Sequence, residues 1–87
     1  MSKIIDEELK YKLNKRSSDI QVALVLHGDA DGICDFVEGI PSDKFFKYFS
    51  SLGVVYLKGD AGYIEKLIES PVVTMAVLVR PKDYLLP

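Results

Sequence analysis

The stretch His27-Gly28-Asp29-Ala30-Asp31-Gly32 follows the apolar run Ile20–Leu26 and sets an imidazole and two carboxylates at alternate positions, closed by a glycine. Side chains of these types hold divalent cations, imidazole suiting transition metals and carboxylate suiting calcium or manganese. Two further acids, Asp35 and Glu38, follow in the same stretch. With His27 as the first position of a calcium loop, Asp29 stands third, Asp31 fifth, Gly32 sixth, Asp35 ninth and Glu38 twelfth. Those are positions where an EF-hand places ligands and its turn glycine. The first position departs from the pattern, since a hard cation prefers oxygen to imidazole, and the incoming element is a strand where an EF-hand has a helix. The competing reading is local. A strand-end histidine bonds to its own loop, and Asp29, Asp31 and Asp60 are turn-forming and helix-capping carboxylates.

Nucleophilic catalysis finds less material. Cys34 stands seven residues from His27 with no evident third member, and no Gly-x-Ser-x-Gly elbow occurs. Gly28, Gly32, Gly59 and Gly62 form no phosphate-binding fingerprint, and the acids beside them repel phosphate. Cys34 is expected as a small hydrophobe. With no catalytic constellation complete, the chain is expected not to be an enzyme and to need no cofactor, a divalent cation such as calcium or manganese excepted.

The 87 residues suffice for one domain, spanning 1–87, and 48% of them are hydrophobic, enough for a core with apolar surface to spare. A net charge of -2 leaves no basic footprint for nucleic acid. No apolar run reaches the roughly 20 residues that span a bilayer, and the first residues lack a signal-peptide hydrophobic region. One cysteine cannot form an internal disulfide, so a soluble, cytoplasmic chain is expected.

The periodicities place the elements that must position these groups. Ile5, Leu9 and Leu13 recur at helical spacing behind Asp6, a natural N-cap with Glu7 and Glu8 in the favourable first turn, which predicts a helix over 6–15. Ile20–Leu26 is nearly all apolar and predicts a strand buried on both faces and central in its sheet. Residues 28–41 read as a long loop, with Ile33, Phe36 and Val37 packing a short helical turn or strand inside it. Ser42 caps a predicted helix over 43–52, whose Phe45, Phe46, Phe49 and Leu52 form one core-facing stripe and which Gly53 ends. A strand over 54–57, a turn with Asp60 as cap, a helix over 63–70 stopped by Pro71, and a strand over 72–79 ended by Pro81 complete the chain. Leu26-His27-Gly28-Asp29-Ala30-Asp31-Gly32 is echoed by Leu57-Lys58-Gly59-Asp60-Ala61-Gly62, as two related strand-turn-helix units would be.

Alternating helices and strands predict a small α/β sandwich, ferredoxin-like, with three to four strands and helices mainly on one face. A fourth strand is sought in 33–37 or near Gly59. Strands joined through helices should run parallel to each other.

Two resemblances add to this. His-x-Asp-x-Asp-Gly after a strand resembles the first motif of the DHH phosphoesterase family, which implies His27, Asp29 and Asp31 as manganese ligands. The family's Asp-His-His motif is absent, because His27 is the chain's single histidine. The second resemblance spans most of the chain. Ile5-Asp6-Glu7-Glu8-Leu9 followed by Ile20–Leu26 is similar to the opening of subtilisin-type protease propeptides, and the stretch from Tyr63 through Ser70-Pro71-Val72-Val73 to their closing helix and strand. The departures are a segment between Phe49 and Tyr63 too short for the usual two-strand hairpin and a longer loop over 28–41. The resemblance implies a ferredoxin-like fold that binds a protease with its sheet face and threads its C-terminal tail into the active-site cleft, as inhibitor and folding chaperone. Tyr84, Leu85 and Leu86 would then be the partner-binding residues.

The expectation is therefore a non-catalytic module that binds a protein partner or a second copy of itself, through an uncovered sheet face or the tail. A divalent-metal module using His27, Asp29, Asp31, Asp35 and Glu38 is the alternative.

Overall fold

The computed structural model describes Ile4 and residues 6–79. Ile5, Pro81 and the tail carrying Tyr84, Leu85 and Leu86 lie outside the described residues. The element order is α1 (Glu7–Asn14), β1 (Ile20–Leu26), α2 (Ala30–Glu38), β2 (Phe45–Phe49), β3 (Val54–Gly59), α3 (Ala61–Ile68) and β4 (Val73–Leu78). The strands form one sheet in the order β2-β3-β1-β4 with every neighbouring pair antiparallel. This is the split βαβ arrangement of the ferredoxin-like fold, with α1 added in front. β1 and β2, joined through α2, do run the same way, as do β3 and β4, joined through α3. In each pair another strand lies between the two.

Each helix starts on an aspartate. Asp6 accepts from the Glu8 amide at 2.9 Å, Asp29 from Gly32 at 2.7 Å and Asp60 from Tyr63 at 2.8 Å. The backbones of Asp29 (φ -77, ψ 167) and Asp60 (φ -78, ψ 171) nearly coincide, so the sequence echo has a local cause: two strand ends hand over to two helices through the same cap. α1 ends in a Schellman motif, with Ser17 donating to the Lys12 carbonyl and Arg16 to that of Leu13. Arg16 occupies the left-handed position (φ 58) that glycine usually takes, and its guanidinium is held 2.7 Å from Glu65 on α3.

The helices share one face of the sheet. Leu9 of α1, Ile64 of α3 and Ile20, Val22, Leu24, Val55, Leu57 and Ala76 of the strands are fully buried in a single cluster. α2 contributes Ile33, Phe36 and Val37, which pack half-buried against that cluster. Asp6 also ties α1 to the sheet, because its second carboxylate oxygen accepts from the Leu78 amide of β4 at 3.0 Å.

The structure corrects several expectations. The segment 28–41 is mostly the helix α2, with Ile33–Val37 inside it, and Cys34 is exposed on that helix rather than buried as a small hydrophobe. The segment 43–52 is not a helix but contains the fourth strand, β2. The cause is a bulge between Phe45 and Lys47 in the β2–β3 ladder. Phe45 pairs with Leu57 and Tyr48 with Val55, both core positions, so the two inward residues are three apart and imitate helical spacing. The proposed core stripe dissolves: Phe46 is 41% and Leu52 70% exposed, while Phe49 faces the other side of the sheet. Gly53 does take a left-handed conformation (φ 66), in the β2–β3 turn instead of at a helix end. The β2–β3 hairpin thus begins at Phe45, ahead of the segment read from the sequence as too short for it.

Candidate functional site: the open face of the sheet

β1 is central as expected, but only one of its faces is under helices. Ile20, Val22 and Leu24 point into the core, while Gln21 and Val25, on the opposite face, stay half-buried and solvent-accessible. Among the described residues no element covers that second face.

The register arranges it in rows. Across the sheet from β2 to β4, one row runs Phe49, Val54, Val25, Met75, and is wholly apolar. The next runs Lys47, Tyr56, Ala23, Val77. Lys58 and Gln21 pair in the row beyond. Met75 is 37% exposed, and the rings of Phe49 and Tyr56 meet edge to face with centroids 5.5 Å apart. The lysines lie along the aromatic side chains: Lys47 Nζ is 4.9 Å from the Phe49 ring centre and Lys58 Nζ 5.6 Å from that of Phe46. Among the described residues, β1, β2, β3 and β4 contain no aspartate or glutamate. The face is therefore apolar at its centre and cationic toward β2 and β3.

The residues singled out as metal ligands divide between the end of β1 and the helix α2. His27 is exposed past the end of β1, with its amide bonded to the Val72 carbonyl at 2.7 Å. Asp29 uses a carboxylate oxygen as the α2 cap, and Asp31, Asp35 and Glu38 are exposed on α2. Among the described residues no group of three or more His, Cys, Asp or Glu side chains is placed to hold a metal ion. Adding calcium or manganese to EDTA-treated protein should accordingly leave its melting temperature unchanged. A rise of several degrees that disappears in Asp31→Asn would restore a metal role, since any ligand of the native state stabilises it.

One polar cleft of about 380 Å³ lies at the end of the sheet, between Asp19, Asp43 and Asp60 with Lys44 and Lys58 on its walls. Beside it, the Tyr63 hydroxyl is pushed above its ordinary pKa by burial and by the Asp43 carboxylate. Its ring packs so closely on Gly59 that a Cβ there would stand 2.6 Å from Cδ2. The Ser18 hydroxyl, three carboxylates and two ammonium-bearing lysines line this cleft.

Sequence reasoning missed Lys47, Phe49, Tyr56, Lys58 and Met75 as surface groups. The alternation Val54, Tyr56, Lys58 against Val55 and Leu57 carried the signal for β3. Phe49 was hidden by the bulge. Among the described residues no helix is long and apolar enough to cross a membrane. Comparison with protein-family models, curated proteins and solved structures returns no match to the chain.

Proposed function

We propose that this chain is a non-catalytic protein-binding module that docks through the open face of its sheet, as a propeptide-like inhibitor or chaperone of a subtilisin-type protease. The observation that carries this reading is the apolar row Phe49, Val54, Val25 and Met75, which no element covers among the described residues and which lies opposite the face where α1, α2 and α3 pack. A contiguous apolar face of this kind on a small domain marks an interaction surface. Two further observations support it. The ferredoxin-like strand order is the one that the propeptide resemblance implies. In the sequence Tyr84, Leu85 and Leu86 stand six to eight residues beyond Leu78, the last residue of β4, which is an outer strand of the same sheet.

The test is inhibition of a subtilisin by the intact chain, read with a chromogenic peptide while circular dichroism reports that the chain is folded. Saturable inhibition, weakened when Tyr84 and Leu85 are replaced by alanine, supports the module. A folded chain that neither inhibits nor binds the protease, or is simply digested by it, overturns it. A concentration-dependent dimer in sedimentation, with no protease binding, would replace the protease by a second copy of the chain.

A further inference from the structure

We infer that the partner surface received by the open sheet face is itself protein and acidic, presenting carboxylates to Lys47 and Lys58 around an apolar centre. This deepens the docking assignment above and rests on it. The side chains that the described strands place on this face and that are charged at neutral pH are Lys47 and Lys58, both cationic. Among the described residues neither ammonium has a carboxylate within 4.0 Å. The ammonium groups are laid instead over Phe49 and Phe46, at 4.9 and 5.6 Å from the ring centres. A lysine held along a ring loses less freedom when a carboxylate arrives, and burying it beside an apolar row without one is costly.

Charge also argues against self-docking. Two copies apposed by this face would bring four ammonium groups together with no carboxylate from the described strands between them, the aspartates of the cleft beside Lys58 lying beyond the strand ends, a like-charge arrangement that interfaces avoid. A single-stranded nucleic acid would satisfy the lysines with phosphates. It would need free ring faces for stacking, however, and Phe49 is flanked by the Tyr56 ring and covered by Lys47. The aliphatic residues Val25, Val54 and Met75 offer bases no partner, and the chain's net charge is -2.

The experiment titrates isotope-labelled intact chain with a random copolymer of glutamate and tyrosine, with a lysine–tyrosine copolymer, and with oligothymidylate, following backbone amide shifts. The same variants enter the protease assay. The expected result is shifts confined to β2 and β3 around Lys47, Tyr56 and Lys58 with the glutamate copolymer alone. They should weaken as salt rises from about 50 to about 300 mM. The double charge reversal Lys47→Glu/Lys58→Glu should weaken binding roughly tenfold or more, and Lys47→Arg/Lys58→Arg should retain it. Shifts that ignore the charge reversal, or stronger binding of oligothymidylate, overturn the acidic-partner assignment. Copolymer binding without any protease inhibition keeps that assignment and removes the protease. Protease inhibition that is insensitive to the charge reversal does the opposite.

Discussion

Replacing Asp6 by alanine should lower the unfolding free energy by about 2–4 kcal/mol, because one carboxylate serves two backbone donors in different elements. Its Oδ1 accepts from the Glu8 amide and caps α1, and its Oδ2 accepts from the Leu78 amide of β4. Loss of an aspartate N-cap costs about 1 kcal/mol, and a part-buried amide left without an acceptor about 1–3 kcal/mol more. The two losses are coupled through packing. α1 carries Leu9, fully buried, and Leu13, 3% exposed, into the common core, so a frayed α1 uncovers both. For a domain of this size each kcal/mol moves the melting temperature by roughly 4–8 °C, so the variant should melt about 10 °C or more below the parent. Asp6→Asn keeps one carbonyl oxygen for one of the two donors and should fall between. A shift of Asp6→Ala below about 0.5 kcal/mol, the level of an ordinary surface substitution, would mean that α1 is held by its apolar contacts alone.

The second large effect is on binding rather than folding. Val25 sits on the central strand, on the open face, between Val54 and Met75. Val25→Asp should leave the fold standing with a cost of about 1 kcal/mol, the span of strand preferences in an accessible sheet position. Protease inhibition should fall by roughly thirtyfold or more, the size of a central interface residue's contribution. The added carboxylate also opposes an acidic partner. Inhibition that survives in folded Val25→Asp would place the contact surface elsewhere, at the tail or on the helices. Leu24→Ala, one residue away and facing the core, should give the opposite pattern: about 2–5 kcal/mol less stability, and inhibition retained wherever the protein is still folded.

The helix caps were legible because capping is local. Asp6 and Asp60 announce their helices by residue type alone, and the structure places both as N-caps. Asp29 does the same, yet its helix was read as a loop. Three glycines and four acids in 28–41 dilute the apolar signal of Ile33, Phe36 and Val37, although those three stand at helical spacing. The metal pattern drew on the same acids. Once Ala30–Glu38 is helical, Asp31, Asp35 and Glu38 are exposed on a helix that packs its apolar residues on the core, and Asp29 is engaged at its N-terminus. Among the described residues these side chains form no group of three or more placed to hold a metal ion.

What the sequence determined by itself follows from forces that act over one or two turns of chain: the span Ile20–Leu26 as a central strand, the capped ends of α1 and α3, the stop before Pro71 and the small mixed sandwich. What only the tertiary structure decided depends on partners distant in the chain. Phe45 and Tyr48 become strand residues because the bulge lets both reach the core opposite Leu57 and Val55, and no local propensity specifies that pairing. Lys47, Phe49, Tyr56, Val25 and Met75 become one surface because the order β2-β3-β1-β4 lays four strands side by side. Strand order is a long-range choice, made by burying one face of each strand under the helices, and the composition of the other face is its consequence.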